Sequence, residues 1–298
     1  MEVDIRQWPY SVRQWPVDVR ESPDRVQNPP PLRNFKNLSS FCISSSESLP
    51  RAYSLRDEVA SVVNASPSLA NLSISTRSIF GGGVTPLQAF LETSRPELVR
   101  LELNRVPLPG EGIREILSDK LQQLSVCTDP DDYNFNWRRL WGALQEACIE
   151  LSILKVSGME NAMDEMSSYL LSYTGLKRLE IAPLQMERQE EEDRAEEEDR
   201  ASQVFWQEII PHHRGSLTAL SVGDGMYGGW CYGPPAAAAL CQCSALRDLT
   251  VFVCRVDSSW AEATLSRARK YKQIEFHSLE PDGASENCGV RLAGNGAS

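Results

Sequence analysis

Apolar residues recur along the chain in one short pattern, L-x-x-L-x-L with apolar substitutions. It reads Leu38-x-x-Phe41-x-Ile43, Leu69-x-x-Leu72-x-Ile74, Leu98-x-x-Leu101-x-Leu103, Leu121-x-x-Leu124-x-Val126 and Leu151-x-x-Leu154-x-Val156. It continues as Leu176-x-x-Leu179-x-Ile181, Leu217-x-x-Leu220-x-Val222, Leu246-x-x-Leu249-x-Val251 and a weaker Tyr271-x-x-Ile274-x-Phe276. The first positions lie 31, 29, 23, 30, 25, 41, 29 and 25 residues apart, about 29 on average. The alternating L-x-L predicts a short strand with two side chains on one face, and the leucine three before it closes the same interior. One such unit cannot bury that face alone, so the units are expected to stack with their strands in one parallel sheet.

Parallel strands need a crossover, and the intervals supply one. Helices or helical turns are expected at Ser54–Asn64, Pro86–Ser94, Gly112–Asp119, Trp137–Ile149, Asp164–Tyr173, Phe205–Ile210, Pro235–Cys243 and Ser259–Tyr271. Pro86 and Pro235 suit a first helical turn, and Asp164 suits a cap. Apolar residues such as Leu140, Leu144 and Cys148 recur at helical spacing. The β-then-α alternation predicts an α/β fold, a right-handed solenoid with the sheet on its concave face and helices on the convex one.

The repeat resembles that of leucine-rich-repeat proteins. Leu246-x-x-Leu249-x-Val251-x-x-Cys254-x-Val256 fits the cysteine-containing version over its full length. Leu98-x-x-Leu101-x-Leu103-x-x-Val106-x-Leu108 follows it with valine at the capping position. Ser46, Arg77, Asp129, Met159 and Gly225 stand at that position elsewhere, so a horseshoe of irregular repeats is implied. Long, helical, cysteine-tinged repeats of this kind are similar to the repeat arms of F-box-like proteins of mushroom-forming fungi. Phe205–His213 with the seventh repeat, and Ala236–Cys243 with the eighth, carry that similarity. It implies a non-enzymatic scaffold for protein–protein interaction, a substrate-recruiting arm of a ubiquitin ligase. No F-box is visible in residues 1–31, so a Skp-type adaptor is implied only if an F-box lies elsewhere.

The repeats occupy 32–280 as eight or nine units. Residues 1–31 are expected to be a Pro-rich tail or partial capping unit, with Arg6-Gln7-Trp8-Pro9 repeated at Arg13-Gln14-Trp15-Pro16. Residues 281–298, rich in small residues, are expected to be a disordered tail. The long interval holds an acidic insertion at 187–203. Glu187–Ala201 carries nine acids and three arginines in a tandem EEEDRA duplication, expected to be a solvated loop.

Composition narrows the function. The chain of 298 residues has 41 acidic and 30 basic side chains, a net charge of −11. Non-specific nucleic-acid binding needs a positive field, so no nucleic-acid partner is expected. No apolar run reaches the ~18 residues of a membrane span, so no membrane is expected either. Eight cysteines without framework spacing suggest reduced thiols and a cytoplasmic or nuclear monomer.

The strand positions between the apolar ones face away from the interior. Their charge concentrates at Arg100, Glu102, Lys155, Arg178 and Glu180. Mixed charge among small polar neighbours suits a protein partner, so these five are candidate binding residues. Gly223–Pro234 adds Tyr227, Trp230 and Tyr232, aromatics that would anchor an interface if displayed and would otherwise pack over the sheet edge. The competing reading is a metal protein or enzyme using Cys231, Cys241, Cys243, His212 and His213. Cys241-x-Cys243 has one intervening residue where zinc sites have two or more, and no catalytic triad is legible. No catalytic residue, metal ligand or cofactor is therefore assigned. A third reading is a degenerate repeat protein with no partner.

Overall fold

The computed structural model describes residues 2–5, 35–45, 61–76, 97–106, 113–128, 135–159, 162–183, 199–223, 228–254, 273–279 and 290–293. The chain divides into two units, Met1–Ile149 and Glu150–Ser298, each α/β with a largely parallel sheet.

The first unit contains β1 (Glu2–Ile5), β2 (Ser40–Ser45), β3 (Asn71–Thr76), β4 (Arg100–Asn104) and β5 (Gln123–Cys127). Each pairs in parallel with the next in sequence. The register joins equivalent residues: Phe41 opposes Leu72, Leu72 opposes Leu101, and Leu101 opposes Leu124. The second unit contains β6 (Ile153–Met159), β7 (Arg178–Pro183), β8 (Ala219–Val222), β9 (Asp248–Cys254), β10 (Gln273–Leu279) and β11 (Val290–Ala293). Here Leu154, Leu179, Leu220, Leu249 and Ile274 form the same kind of row on β6 to β10. β11 pairs antiparallel with β10.

A single backbone device recurs where strands begin. The amides of Ala70 and Asn71 both donate to Ser39 O, at 3.0 and 3.1 Å. Val99 and Arg100 converge likewise on Ala70 O, and Gln122 and Gln123 on Val99 O. In the second unit Lys177 and Arg178 converge on Ser152 O, Thr218 and Ala219 on Lys177 O, and Arg247 and Asp248 on Thr218 O. A carbonyl has two lone pairs and can take both bonds. The repeated pair fixes how far each strand slides along its neighbour, so every L-x-L meets the previous one in step.

The result is a leucine ladder. Leu38, Leu69, Leu98 and Leu121 in the first unit are buried, as are Leu151, Leu176, Leu217 and Leu246 in the second. The next apolar positions, from Phe41 and Leu72 to Leu220 and Leu249, are 2% exposed or less. Helices lie alongside. In the first unit, residues 61–64 are helical, and α1 (Ile113–Ile116) packs on α2 (Trp137–Glu146). In the second unit, α3 (Met163–Leu171) meets a π-helical turn at Phe205–Ile209, which runs on into α4 (Ile210–His212). α5 (Pro234–Gln242) packs on both the turn and α4.

Local chemistry explains several boundaries. Asn136 caps α2, its side chain accepting from the Arg139 amide at 3.0 Å. Pro234 and Pro235 open α5, where a missing N–H costs nothing. Asp164 is not the cap expected of it. Ala162 holds that position without a side-chain bond, and Asp164 sits inside the first turn, where its charge still favours the helix N-terminus. Within the terminal segments 1–31 and 281–298, Glu2–Ile5 and Val290–Ala293 are strands. The expected helices at Pro86–Ser94 and Ser259–Tyr271, and residues 187–198 of the acidic insertion, lie outside the described residues.

Leu154 and Leu179 are fully buried and oppose each other across β6 and β7. Truncating either to alanine leaves a cavity that stacked neighbours cannot close. Leu154→Ala and Leu179→Ala should each lower unfolding free energy by ~2–5 kcal/mol in denaturant titrations, whereas Asn136→Ala should cost ~1 kcal/mol.

Candidate interaction surface

The side of each sheet opposite the leucines is mostly polar and partly exposed, although Ala219 and Phe252 on the second sheet are buried. On β3 to β5 it presents Asn71, Ser73, Arg100, Glu102, Gln123 and Ser125, all partly or well exposed. Arg100 and Glu102 are two apart on β4, so both point to this side, and they form an ion pair at 2.8 Å.

In the second unit Lys155 on β6 is the register partner of Glu180 on β7. The Lys155 ammonium lies 2.8 Å from Glu180 Oε2, and Arg178, two residues before Glu180, approaches the same oxygen at 3.8 Å. That oxygen is itself buried between the two cations and has no aligned hydrogen bond, so the contact is one of charge. The side chains remain 36–52% exposed. Solvent-screened pairs of this kind hold a geometry but add little stability, under ~1 kcal/mol each. The three groups form a compact cation–anion–cation cluster on a rigid strand pair. Ser221 on β8 and Thr250 on β9 extend the row with small polar groups.

The aromatic candidates are placed differently. Trp230 is 4% exposed and Tyr232 is 8% exposed, so both are buried rather than displayed. Trp230 lies in a 3-10 turn at Gly228–Trp230, its ring centroid 5.2 Å from that of Phe205. Trp206 Nε1 donates to Gly229 O at 3.0 Å, and the Tyr232 amide donates to Phe252 O at 2.7 Å. The approach is close: a Cβ at Gly229 would crowd the Ser202 hydroxyl, which would have to shift. The turn is thus pressed onto the 199–209 helical segment and tied to β9. Tyr227 lies outside the described residues. Aromatic composition in a Gly-rich loop gave no sign of which way the rings would turn. The apolar Phe205-Trp206 pair in the preceding crossover was the available signal that a packing partner existed.

The metal and nucleophile candidates also resolve. Cys231 is disulfide-bonded, which removes it as a free nucleophile and corrects the expectation of uniformly reduced thiols. Cys42, Cys127, Cys148, Cys241 and Cys243 carry no disulfide. Cys241 is exposed, whereas Cys243 is buried with its thiol toward Ala239 O and Ile210 O. Among the described residues, no group of three or more His, Cys, Asp or Glu side chains is arranged to hold a metal ion. His212 and His213 instead bond backbone carbonyls of the preceding helical segment, Tyr173 O and Leu170 O. Burial, aided by neighbouring His212, pushes the His213 imidazole down to about 4. Burial likewise raises the phenols of Tyr169 and Tyr173.

No family model matches the chain, and no curated protein matches its sequence. Among the described residues, no helix is long and apolar enough to cross a membrane.

Burial and exposure separate two classes of variant. Trp230→Ala should cost ~3–5 kcal/mol of stability, because a large ring leaves a packed site. Glu180→Gln and Arg178→Ala should each change stability by less than ~1 kcal/mol, as half-exposed surface charges do. Unfolding free energies of the three variants in denaturant decide the assignment.

Proposed function

We propose that this chain is a non-enzymatic protein-interaction scaffold built as a right-handed leucine-rich-repeat solenoid. Its partner docks on the polar sheet face of the second unit through the Lys155–Glu180–Arg178 cluster; Arg100 and Glu102 form a separate ion pair of similar chemistry on the sheet of the first unit. The observation that carries the reading is the register: equivalent residues oppose one another from strand to strand, which sets Lys155, Arg178 and Glu180 side by side with their side chains 36–52% exposed. Side chains so placed do not fill the core and are available for recognition. Arg178 can grip a carboxylate through two parallel N–H donors, and Lys155 adds a point charge beside it. A partner bearing an acidic side chain flanked by small polar groups fits this cluster.

The finer assignment, a substrate-recruiting arm of a ubiquitin ligase, rests on the resemblance of the repeats to F-box-like arms. It is proposed together with a cytoplasmic or nuclear location and a monomeric state. The Cys231 disulfide weighs on the location: such bonds are uncommon in reducing compartments. Alkylation of cell extracts followed by intact mass analysis would report its state directly.

The experiment is affinity purification with the wild-type chain and a Lys155→Glu/Arg178→Glu double variant, each identified by mass spectrometry. The reading predicts a partner retained by the wild type and lost by the variant at unchanged melting temperature. Arg178→Ala alone should weaken that partner by ~1–3 kcal/mol. A Skp-type adaptor among the proteins retained by both would support the ligase assignment. Identical partner sets for both chains would overturn the docking site.

A further inference from the structure

An α-helix leaves its last carbonyls without intrahelical partners, and something must satisfy them where they are buried. α3 ends at Leu171, and the following repeat reaches back to serve this role. His213 Nε2 lies 3.0 Å from Leu170 O, His212 Nε2 lies 2.9 Å from Tyr173 O, and Ser216 Oγ donates to Leu176 O at 2.8 Å. Three side chains within five residues thus cap the end of α3 and the turn after it.

The carbonyls settle the histidine tautomers. A carbonyl only accepts, so each Nε2 carries the proton and each neutral Nδ1 is an acceptor. His213 is 1% exposed, and its Nδ1 is buried without a hydrogen-bond partner. A second proton could bind only there. It would create a buried charge and a buried N–H with nothing to receive it, each costly in a dry interior. The partial negative charge at the end of α3 attracts a cation, but that attraction is outweighed by the cost of burying the charge.

The groups around His213 offer no rescue. From the turn after α3, Tyr173 faces it with ring centroids 5.4 Å apart, and Tyr169 of α3 lies tilted against Tyr173 with centroids 5.2 Å apart. Both phenols stay neutral. From its own segment, His212 lies 5.1 Å away and can only add positive charge. From α5, the Cys243 thiol is turned to Ile210 O and Ala239 O. His213 makes no ion pair among the described residues.

We propose that His213 is an acid-sensitive latch: a proton taken from solvent onto Nδ1 releases the 209–217 segment from the C-terminal turn of α3. The latch is closed at neutral pH and opens in acid, loosening the joint between two successive repeats of the second unit. The sign follows from the two titrations. The released imidazole binds a proton near 6.5, whereas the latched one resists until about 4. Between those values only the open form is protonated, so closure is fully stabilised above 6.5 and is lost as pH falls toward 4.

The test is residue-resolved amide hydrogen exchange of the full chain at pH 7.0 and pH 5.0, corrected for intrinsic exchange. The amides of His213, Ser216 and Leu217 report the latch, since they close the bonds of this turn to Ile209 O and His213 O. Opening of the wild-type segment should rise by roughly ten- to thirty-fold at the lower pH. His213→Gln, which keeps a donor for Leu170 O and cannot titrate, should abolish that rise, and His212→Gln should preserve it. Equal protection of the wild type at both pH values would overturn the proposal, as would an undiminished acid response in His213→Gln. If His213→Gln does not fold at pH 7, the wild-type imidazole is titrated by NMR: a value below about 5 supports the latch and one above about 6 overturns it.

Discussion

Two successive amides bonded to one carbonyl of the preceding strand set everything else in this protein. β3, β4 and β5 in the first unit, and β7, β8 and β9 in the second, each come alongside the preceding strand through this pair, from Ser39 O to Val99 O and from Ser152 O to Thr218 O. Sliding a strand by one residue would break both bonds and turn its leucines to the solvent face. Backbone geometry and hydrophobic burial therefore specify the same register, and neither has to override the other.

That register divides the side chains into two populations with different duties. Inward positions are nearly uniform leucine, isoleucine and valine because each must fit against its equivalent one strand away. Most outward positions are free of that demand and vary from serine to arginine, although Ala219 and Phe252 are buried. Lys155, Arg178 and Glu180 are neighbours because their strands are in register, not because the sequence places them together. Their ion pairs add little stability, so the cluster could be altered over evolution without endangering the fold. The crossovers have a third duty. They cover the leucines and also complete one another, as the His212–His213–Ser216 segment does for α3.

The strand rows were legible because a two-residue period and a fixed offset leave a strong trace in sequence. Leu38 through Leu249 took the inward positions that their spacing predicted, and Arg100, Glu102, Lys155, Arg178 and Glu180 emerged on the open face. What was not legible depends on contacts distant in the chain. Trp230 and Tyr232 sit in a loop whose glycines suggest exposure, yet Phe205, 25 residues earlier, supplies a packing surface. Cys231 carries no spacing that marks a disulfide. The role of His213 lies in a carbonyl 43 residues away and in the absence of a partner at its other nitrogen. Asp164 has the chemistry of a cap, but the helix begins before it.

The measurement that bears most directly on the account is amide hydrogen exchange at neutral pH, read at the strand-opening pairs 70/71, 99/100, 122/123, 177/178, 218/219 and 247/248. In an ordinary strand successive amides point to opposite neighbours, whereas here both members of each pair donate to the same carbonyl. The account predicts that both members of every pair are protected, and that Leu154→Ala weakens protection of 177/178 before that of 247/248. Free exchange at one or both members in most pairs would contradict the repeated backbone device, and with it the register on which the exposed charge cluster depends.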